Sequence, residues 1–212
     1  MDRLLKMNIA QKSWNSIPKL ISKEYLDGFG HPSISSRNLL IDIIKKINLD
    51  KNLNLIDIGC GNGNLLKYLK LNDLNVNYTG VDFSEPLITA AKQLHPNDNF
   101  IIDDVSMLTN ISTTYDIAVY SHVIECLSSP DRALTRGAEI AKLIIIRFCE
   151  PPVFEFDEIE IRTLNFGEEN FPYLRRKMSK SYYQLILSRL SIKEVHVYND
   201  INSNDQVHIL YK

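Results

Sequence analysis

At 212 residues the chain is long enough for one domain with a sizeable core, and its 44% apolar and 24% charged residues are those of an ordinary globular protein. A formal net charge of −2 gives no electrostatic footprint for nucleic acid. Three widely spaced cysteines, Cys60, Cys126 and Cys149, show no metal-ligand pattern and fit free thiols in a reducing compartment.

The first 17 residues carry Lys6 and Lys12 without the long apolar core of a signal peptide, and no run approaches membrane-spanning length. A cytoplasmic chain with no metal and no membrane partner is expected. Ser16 can cap a first helix running to about Leu26, with Pro18 in its first turn. A loop with Gly28, Gly30 and Pro32 follows, and its aromatic neighbours Trp14, Tyr25, Phe29 and His31 fit either an N-terminal flap or a substrate lid. Ser35 or Ser36 opens a second helix, whose Leu39, Leu40, Ile43, Ile44 and Ile47 share one face while Lys45 and Lys46 take the other.

From Leu53 on, strands and helices alternate: strand 53–58, helix 63–71, strand 76–82, helix 85–95, strand 98–102, strand 115–121, helix 130–140 and strand 142–148. The run Leu143-Ile144-Ile145-Ile146 is nearly continuous apolar, the signature of a parallel strand buried on both faces. Residues 150–178 break this rhythm with Pro151-Pro152, Phe154, Phe156, Phe171 and Tyr173, and read as an inserted lid; the short basic run Arg175-Arg176-Lys177 reads as a solvated face, or one that steers an anionic substrate. Ser179 caps helix 180–190, and strands 192–198 and 206–211 close the chain as a hairpin.

The stretch Leu55-Ile56-Asp57-Ile58-Gly59-Cys60-Gly61-Asn62-Gly63 reads as a strand, a tight turn and a helix start. Gly59 and Gly61 let the backbone bend and a ligand approach; Gly63 thins the helix start. The exposed amides there are ready donors. A dinucleotide fingerprint would place its third glycine one position later, where this chain has Asn64. The run Asp57-Ile58-Gly59-Cys60-Gly61-Asn62-Gly63 instead resembles the first motif of class I methyltransferases that bind S-adenosylmethionine. The late helix and hairpin resemble the end of the same fold, so the likeness spans roughly residues 38–212. It implies an α/β, doubly wound, Rossmann-like sheet of seven strands in the order 3-2-1-4-5-7-6, strand 7 antiparallel, with an N-terminal helical lid. The division expected is a lid over 1–37, a cofactor-binding core over 38–149, an inserted substrate lid over 150–178, and a final helix and hairpin over 179–212.

Open parallel sheets bind ligands at the carboxyl ends of their strands. The resemblance implies that Asp57 reaches the methionine amino group and that Gly59, Gly61, Asn62 and Gly63 face the amino-acid part and ribose. Gly80-Val81-Asp82-Phe83-Ser84 resembles the family's next motif, where a carboxylate accepts both ribose hydroxyls: Asp82 takes that role, Phe83 flanks the adenine and Ser84 caps the next helix. Asp103-Asp104-Val105 stands where the family meets the adenine, with the side-chain contact assigned to Asp103. Ser121-His122-Val123-Ile124-Glu125-Cys126-Leu127 resembles the family's Val-Leu-Glu-His-Leu segment, with Cys126 in place of the usual His. Ser121 would face the transferred methyl. His122, with His31, is the candidate base or substrate-positioning residue, while a loop-bonding role for His122 stays open. The substrate pocket would draw on Tyr25, Phe29, Arg147, Tyr173, Tyr182 and Tyr183. Arg147 would hold a carboxylate or phosphate, or pair with Glu150.

The family implies methyl transfer from S-adenosylmethionine to an oxygen or nitrogen of a small molecule, a specialised metabolite or modified sugar, by a monomer or homodimer without nucleic-acid partners. A non-methylating enzyme of the same fold, or a non-catalytic partner subunit, are the alternatives.

Overall fold

The computed structural model describes residues 35–47, 52–166 and 169–212, with the side chains of 164–171 left aside. The expected first helix and the aromatic residues Tyr25, Phe29 and His31, with the lid they would form, lie outside the described residues. The chain in order is α1 (Ser35–Ile47), β1 (Asn54–Ile58), α2 (Asn64–Leu71), β2 (Asn77–Asp82), α3 (Glu85–Leu94), β3 (Asn99–Ile102) and β4 (Tyr115–Ser121). A 3-10 turn (Ile124–Cys126), α4 (Pro130–Ile140), β5 (Ala141–Phe148), β6 (Glu158–Phe166), β7 (Glu169–Lys177), α5 (Lys180–Arg189), β8 (Glu194–Asn199) and β9 (Gln206–Tyr211) complete it.

Seven strands form one sheet in the order β3-β2-β1-β4-β5-β9-β8. The first five are parallel, and β9 runs antiparallel to both β5 and β8. Setting aside the separate β6–β7 hairpin, this is the expected topology. Alternation along the strands splits the core into two layers. Ile56, Ile58, Ile144, Ile146 and Phe148 pack with Ala133 and Leu134 of α4 and Tyr183 and Ile186 of α5. Leu55, Ile117, Val119 and Ile145 pack on the other face with Leu40 and Ile44 of α1, Leu65 and Leu69 of α2, and Ile88 of α3. Strands covered on both faces leave only the sheet's two edges of loops for chemistry.

No loop intervenes between α4 and β5: the helix ends at Ile140 and the strand begins at Ala141. Gly137 lets α4 lie close to β4, because a Cβ there would sit 2.4 Å from the Tyr120 hydroxyl. That hydroxyl donates to the Ala133 carbonyl at 2.7 Å and ties helix to strand.

The segment expected as a lid holds a two-stranded antiparallel hairpin, β6 paired with β7, resting on the 3-10 turn. None of its described residues lines the cavity at the carboxyl ends of the parallel strands. The basic run within it is not a solvated face. Arg176 is buried, donating to the Ser128 carbonyl and pairing with Asp157, and Arg175 reaches Glu125 at 3.5 Å. All three cations of the run, Arg175, Arg176 and Lys177, meet acids that sequence spacing does not mark.

Candidate active site

A cavity of about 230 Å³ opens at the carboxyl ends of β1, β2, β4 and β5. Its floor is the turn after β1. The Gly59 and Cys60 amides both donate to the Val81 carbonyl, at 2.7 and 3.0 Å, which binds the turn to the end of β2. The glycines have unlike tasks. Gly59 has φ +80°, and a Cβ on it would meet Val123 at 2.4 Å, so packing reserves that position for glycine. Gly61 has φ +55° and nothing within 4 Å of its absent Cβ; it lines the cavity and is where a ligand can approach the backbone. Gly63 lies outside the lining, as the residue before α2, against His95 and Phe100.

Two buried carboxylates stand over this turn. Asp82 accepts from the Gly61 amide and from the Ser84 amide, both at 2.9 Å. It thus sets the turn and the start of α3 together. Ser84 holds the N-cap position of α3 but makes no side-chain cap bond, so part of the capping expected of it falls to Asp82. Each carboxylate oxygen retains acceptor capacity beyond the amide it already takes. Burial pushes the Asp82 carboxyl up, against the pull of the Ser84, Gly61 and Phe83 amides. Asp57 accepts from the Tyr78 hydroxyl at 2.7 Å, and burial pushes its carboxyl up to about 7 despite that bond.

Asn62, Phe83, Val105 and Ser121 line the cavity as expected, with Leu87 and Leu127 adding apolar wall. At the end of β3 the two acids do not. The Asp103 carboxylate is taken by its own loop, accepting from the Asp104 and Asn110 amides at 2.8 and 2.6 Å and from the Thr109 hydroxyl at 3.0 Å. Asp104 is exposed and accepts from the Ser106 amide. Ser84, Asp103 and Asp104 lie outside the lining.

His122 and Arg147 both face the cavity, from neighbouring strand ends. His122 has φ +58°, an uncommon left-handed conformation, and its amide donates to the Arg147 carbonyl at 2.8 Å. Its Nε2 lies 2.9 Å from Asp205 Oδ2, and its Nδ1 lies 3.3 Å from an Arg147 amino group. A carboxylate only accepts and a guanidinium only donates, so the neutral Nε2–H tautomer satisfies both contacts. Burial lowers the imidazole pKa, the Arg147 charge adds to this, and the Asp205 bond works against both. Burial would raise Asp205, but the bonds from His122 and Ser36 outweigh it and hold the carboxyl low.

Glu150 does not pair with Arg147; its carboxylate lies 2.6 Å from Arg162. Tyr182 and Tyr183 do not line the cavity either. Tyr183 is core, edge-on to Phe148 and bonded to His208 at 3.1 Å, and Tyr182 reaches Asp131 at 3.2 Å. Both sit on α5, which covers a sheet face rather than the ligand edge. Tyr173, on β7, packs against Arg175.

Two participants escaped sequence reasoning. Arg37 on α1 is buried, lines the cavity and lies 4.7 Å from the centre of the Tyr68 ring on α2. Asp205 lies in the turn before β9. A signal for it existed: an antiparallel last strand brings its hairpin turn back to the carboxyl edge, beside the ends of β4 and β5.

Residues 56–142 match the family model described as a methyltransferase domain. The ubiquinone biosynthesis O-methyltransferase of Coxiella burnetii is 33% identical over 96 residues, covering 43% of this chain and 40% of that protein. The tRNA (carboxymethyluridine(34)-5-O)-methyltransferase of Saccharomyces cerevisiae is 35% identical over 77 residues, covering 36% and 26%. The chain thus spans well under half the length of these curated relatives. Among solved structures, CalS10, an amino pentose methyltransferase of Micromonospora echinaspora solved with S-adenosylmethionine bound, superposes with a TM-score of 0.67 at 12% identity, covering 91% of this chain and 98% of that one.

Proposed function

We propose that the chain, whose residues 56–142 match a methyltransferase domain and whose fold is shared with solved methyltransferases, transfers a methyl group from S-adenosylmethionine to an oxygen or nitrogen of a small molecule. The observation that carries the reading is the cavity floor: Gly61, open to a ligand, between the buried carboxylates Asp57 and Asp82.

The residues present fit the cofactor. Asp82 offers its remaining lone pairs to vicinal ribose hydroxyls. Phe83, Leu87 and Val105 supply apolar wall for a purine. Asp57 is suited to an ammonium group, whose charge would offset the cost of ionising a buried carboxyl. Arg37, beside α2, is suited to a carboxylate. When bound, S-adenosylmethionine supplies a methyl carbon activated by a sulfonium.

The chain's own share is then to hold an acceptor beside that methyl, to exclude water, and to take a proton if the acceptor arrives with one. His122 is the base that the geometry supports, with Asp205 fixing the ring and stabilising positive charge on it. Ser121, at the end of β4, is placed to orient the acceptor. A small-molecule acceptor accords with the modest cavity and the net charge of −2.

The test is incubation of the full chain with S-adenosylmethionine and a panel of phenols, catechols and amino sugars, with S-adenosylhomocysteine measured by mass spectrometry. Product above the no-acceptor background supports the reading. Consumption of S-adenosylmethionine without S-adenosylhomocysteine would replace it with another reaction on the same fold.

A further inference from the structure

Arg147 is 4% exposed and lines the cavity, and its Nε is buried with no acceptor. Among the described residues it forms no ion pair. Its hydrogen bonds go to neutral groups and are long: 3.4 Å to the Ser36 hydroxyl and 3.3 Å to His122 Nδ1. Burial, with the nearby Arg37 charge, lowers its pKa to about 10, which still leaves a cation at neutral pH. Asp205 and Glu125 act on this charge from a distance, but no carboxylate touches the guanidinium, so the position can take an anion from outside.

Charge matching places that anion. The cavity presents two cations, Arg37 and Arg147, and two carboxylates, Asp57 and Asp82. The amino-acid part of S-adenosylmethionine has a single carboxylate. Arg37 stands beside α2, the helix that begins at the glycine turn. Arg147 stands at the end of β5, two strands from β1 and so about 10 Å across the sheet. His122 lies between, at the end of β4. Arg147 thus sits beside His122, the candidate base, with Arg37 near enough to lower its pKa.

The contacts also form a closed ring. Arg147 donates to Ser36 and to His122 Nδ1, and Ser36 and His122 Nε2 both donate to Asp205. The bonds at Asp205 are short and charge-assisted; those from Arg147 are the weak side. An anion arriving at Arg147 competes only with the weak side, and the nitrogen it uncovers is the unprotonated one.

We propose that Arg147 binds a carboxylate or phosphate on the methyl acceptor, and that this contact draws the guanidinium away from His122 Nδ1 and frees that nitrogen to take the acceptor's proton. The proposal rests on the methyl-transfer reading for the identity of the other ligand. As the oxygen–methyl bond forms, the carbon–sulfur pair leaves with sulfur, and the acceptor's proton moves to Nδ1. The imidazolium stays paired with Asp205 until it loses that proton to water. The charged groups facing the ring are Asp205 from the β8–β9 turn, Arg147 from β5 and Glu125 from the 3-10 turn, with Arg37 and Asp57 across the cavity.

The test is nitrogen NMR of the full chain with labelled histidine, His122 being assigned by the signal lost in His122→Gln. Benzoate and inorganic phosphate are titrated in separate arms, and S-adenosylhomocysteine binding is measured by calorimetry on the same samples. A saturable shift of the His122 Nδ1 signal is expected. The arm that produces it identifies the anion class. Arg147→Met should weaken that response roughly tenfold or more, and Arg147→Lys should retain part of it. Neither substitution should weaken S-adenosylhomocysteine binding as strongly as Arg37→Met does. No anion response in the wild type, or an equal response in Arg147→Met, overturns the proposal. So does a loss of S-adenosylhomocysteine binding in Arg147→Met matching that in Arg37→Met, which would give Arg147 to the cofactor's carboxylate. An intact anion response in a protein that does not bind S-adenosylhomocysteine would instead sink the methyltransferase reading and leave the anion site standing.

Discussion

Near the end of β1, Asp57 is buried, and its carboxyl rises to about 7 although the Tyr78 hydroxyl favours the ionised form. Above that value it is an anion suited to an ammonium group; below it the proton must leave before such a group can bind. Affinity for S-adenosylhomocysteine should therefore fall as pH drops below 7, by at most about tenfold per unit. Titrations across pH 6 to 8 check this, and Asp57→Asn should flatten the profile while weakening binding at high pH. The motif residues Asp57, Gly61 and Asp82 were legible because a glycine turn after an apolar strand has few structural uses. Asp103 was not: an acid that feeds its own loop's amides and one that faces a ligand look alike in sequence. Arg37 gave no signal, since one arginine near the start of an amphipathic helix reads as surface.

At the scale of elements, the parallel core was readable because burial on both faces forces continuous apolar runs. Helix 85–95 was expected and Glu85–Leu94 is found; strand 115–121 coincides with Tyr115–Ser121. The β6–β7 hairpin was missed because only the start of β6 alternates; β7 carries Pro172 and three adjacent cations, and the pair forms a two-stranded sheet outside the main core. On β9, His208 is buried and neutral, with Nδ1 3.1 Å from the Tyr183 hydroxyl and Nε2 2.9 Å from Gln206 Oε1. Burial lowers its pKa to about 4. The unfolded chain takes up this proton near pH 6.5, the folded chain only near 4, so stability falls as pH drops through that window. The loss is about 1.4 kcal/mol per unit and on the order of 3 kcal/mol in all. Urea unfolding at several pH values measures it, and His208→Gln should reduce the slope. Gly137→Ala should cost about 1–3 kcal/mol by pushing α4 off Tyr120. The cost should shrink in a Tyr120→Phe background, which a double-mutant cycle by thermal unfolding tests.

Across the whole molecule, the sheet order β3-β2-β1-β4-β5-β9-β8 brings Asp57, Asp82, Ser121, His122 and Arg147 to one edge. It carries the hairpin turn with Asp205 back to His122, 83 residues away in sequence. No local spacing encodes that meeting; the antiparallel direction of β9 does. One relative is named for a tRNA, whereas the proposed acceptor is a small molecule. Filter binding at physiological salt should retain no transfer RNA; tight, salt-sensitive retention would move the acceptor to nucleic acid. The most direct test of the account is calorimetric titration of the full chain with S-adenosylhomocysteine, alongside Asp82→Ala and the milder Asp82→Asn. The wild type should bind it at one saturable site, weakened at least about a hundredfold in Asp82→Ala by the loss of two charge-assisted hydrogen bonds. A wild-type protein that takes up no S-adenosylhomocysteine, or an Asp82→Ala variant that binds it equally well, would contradict it.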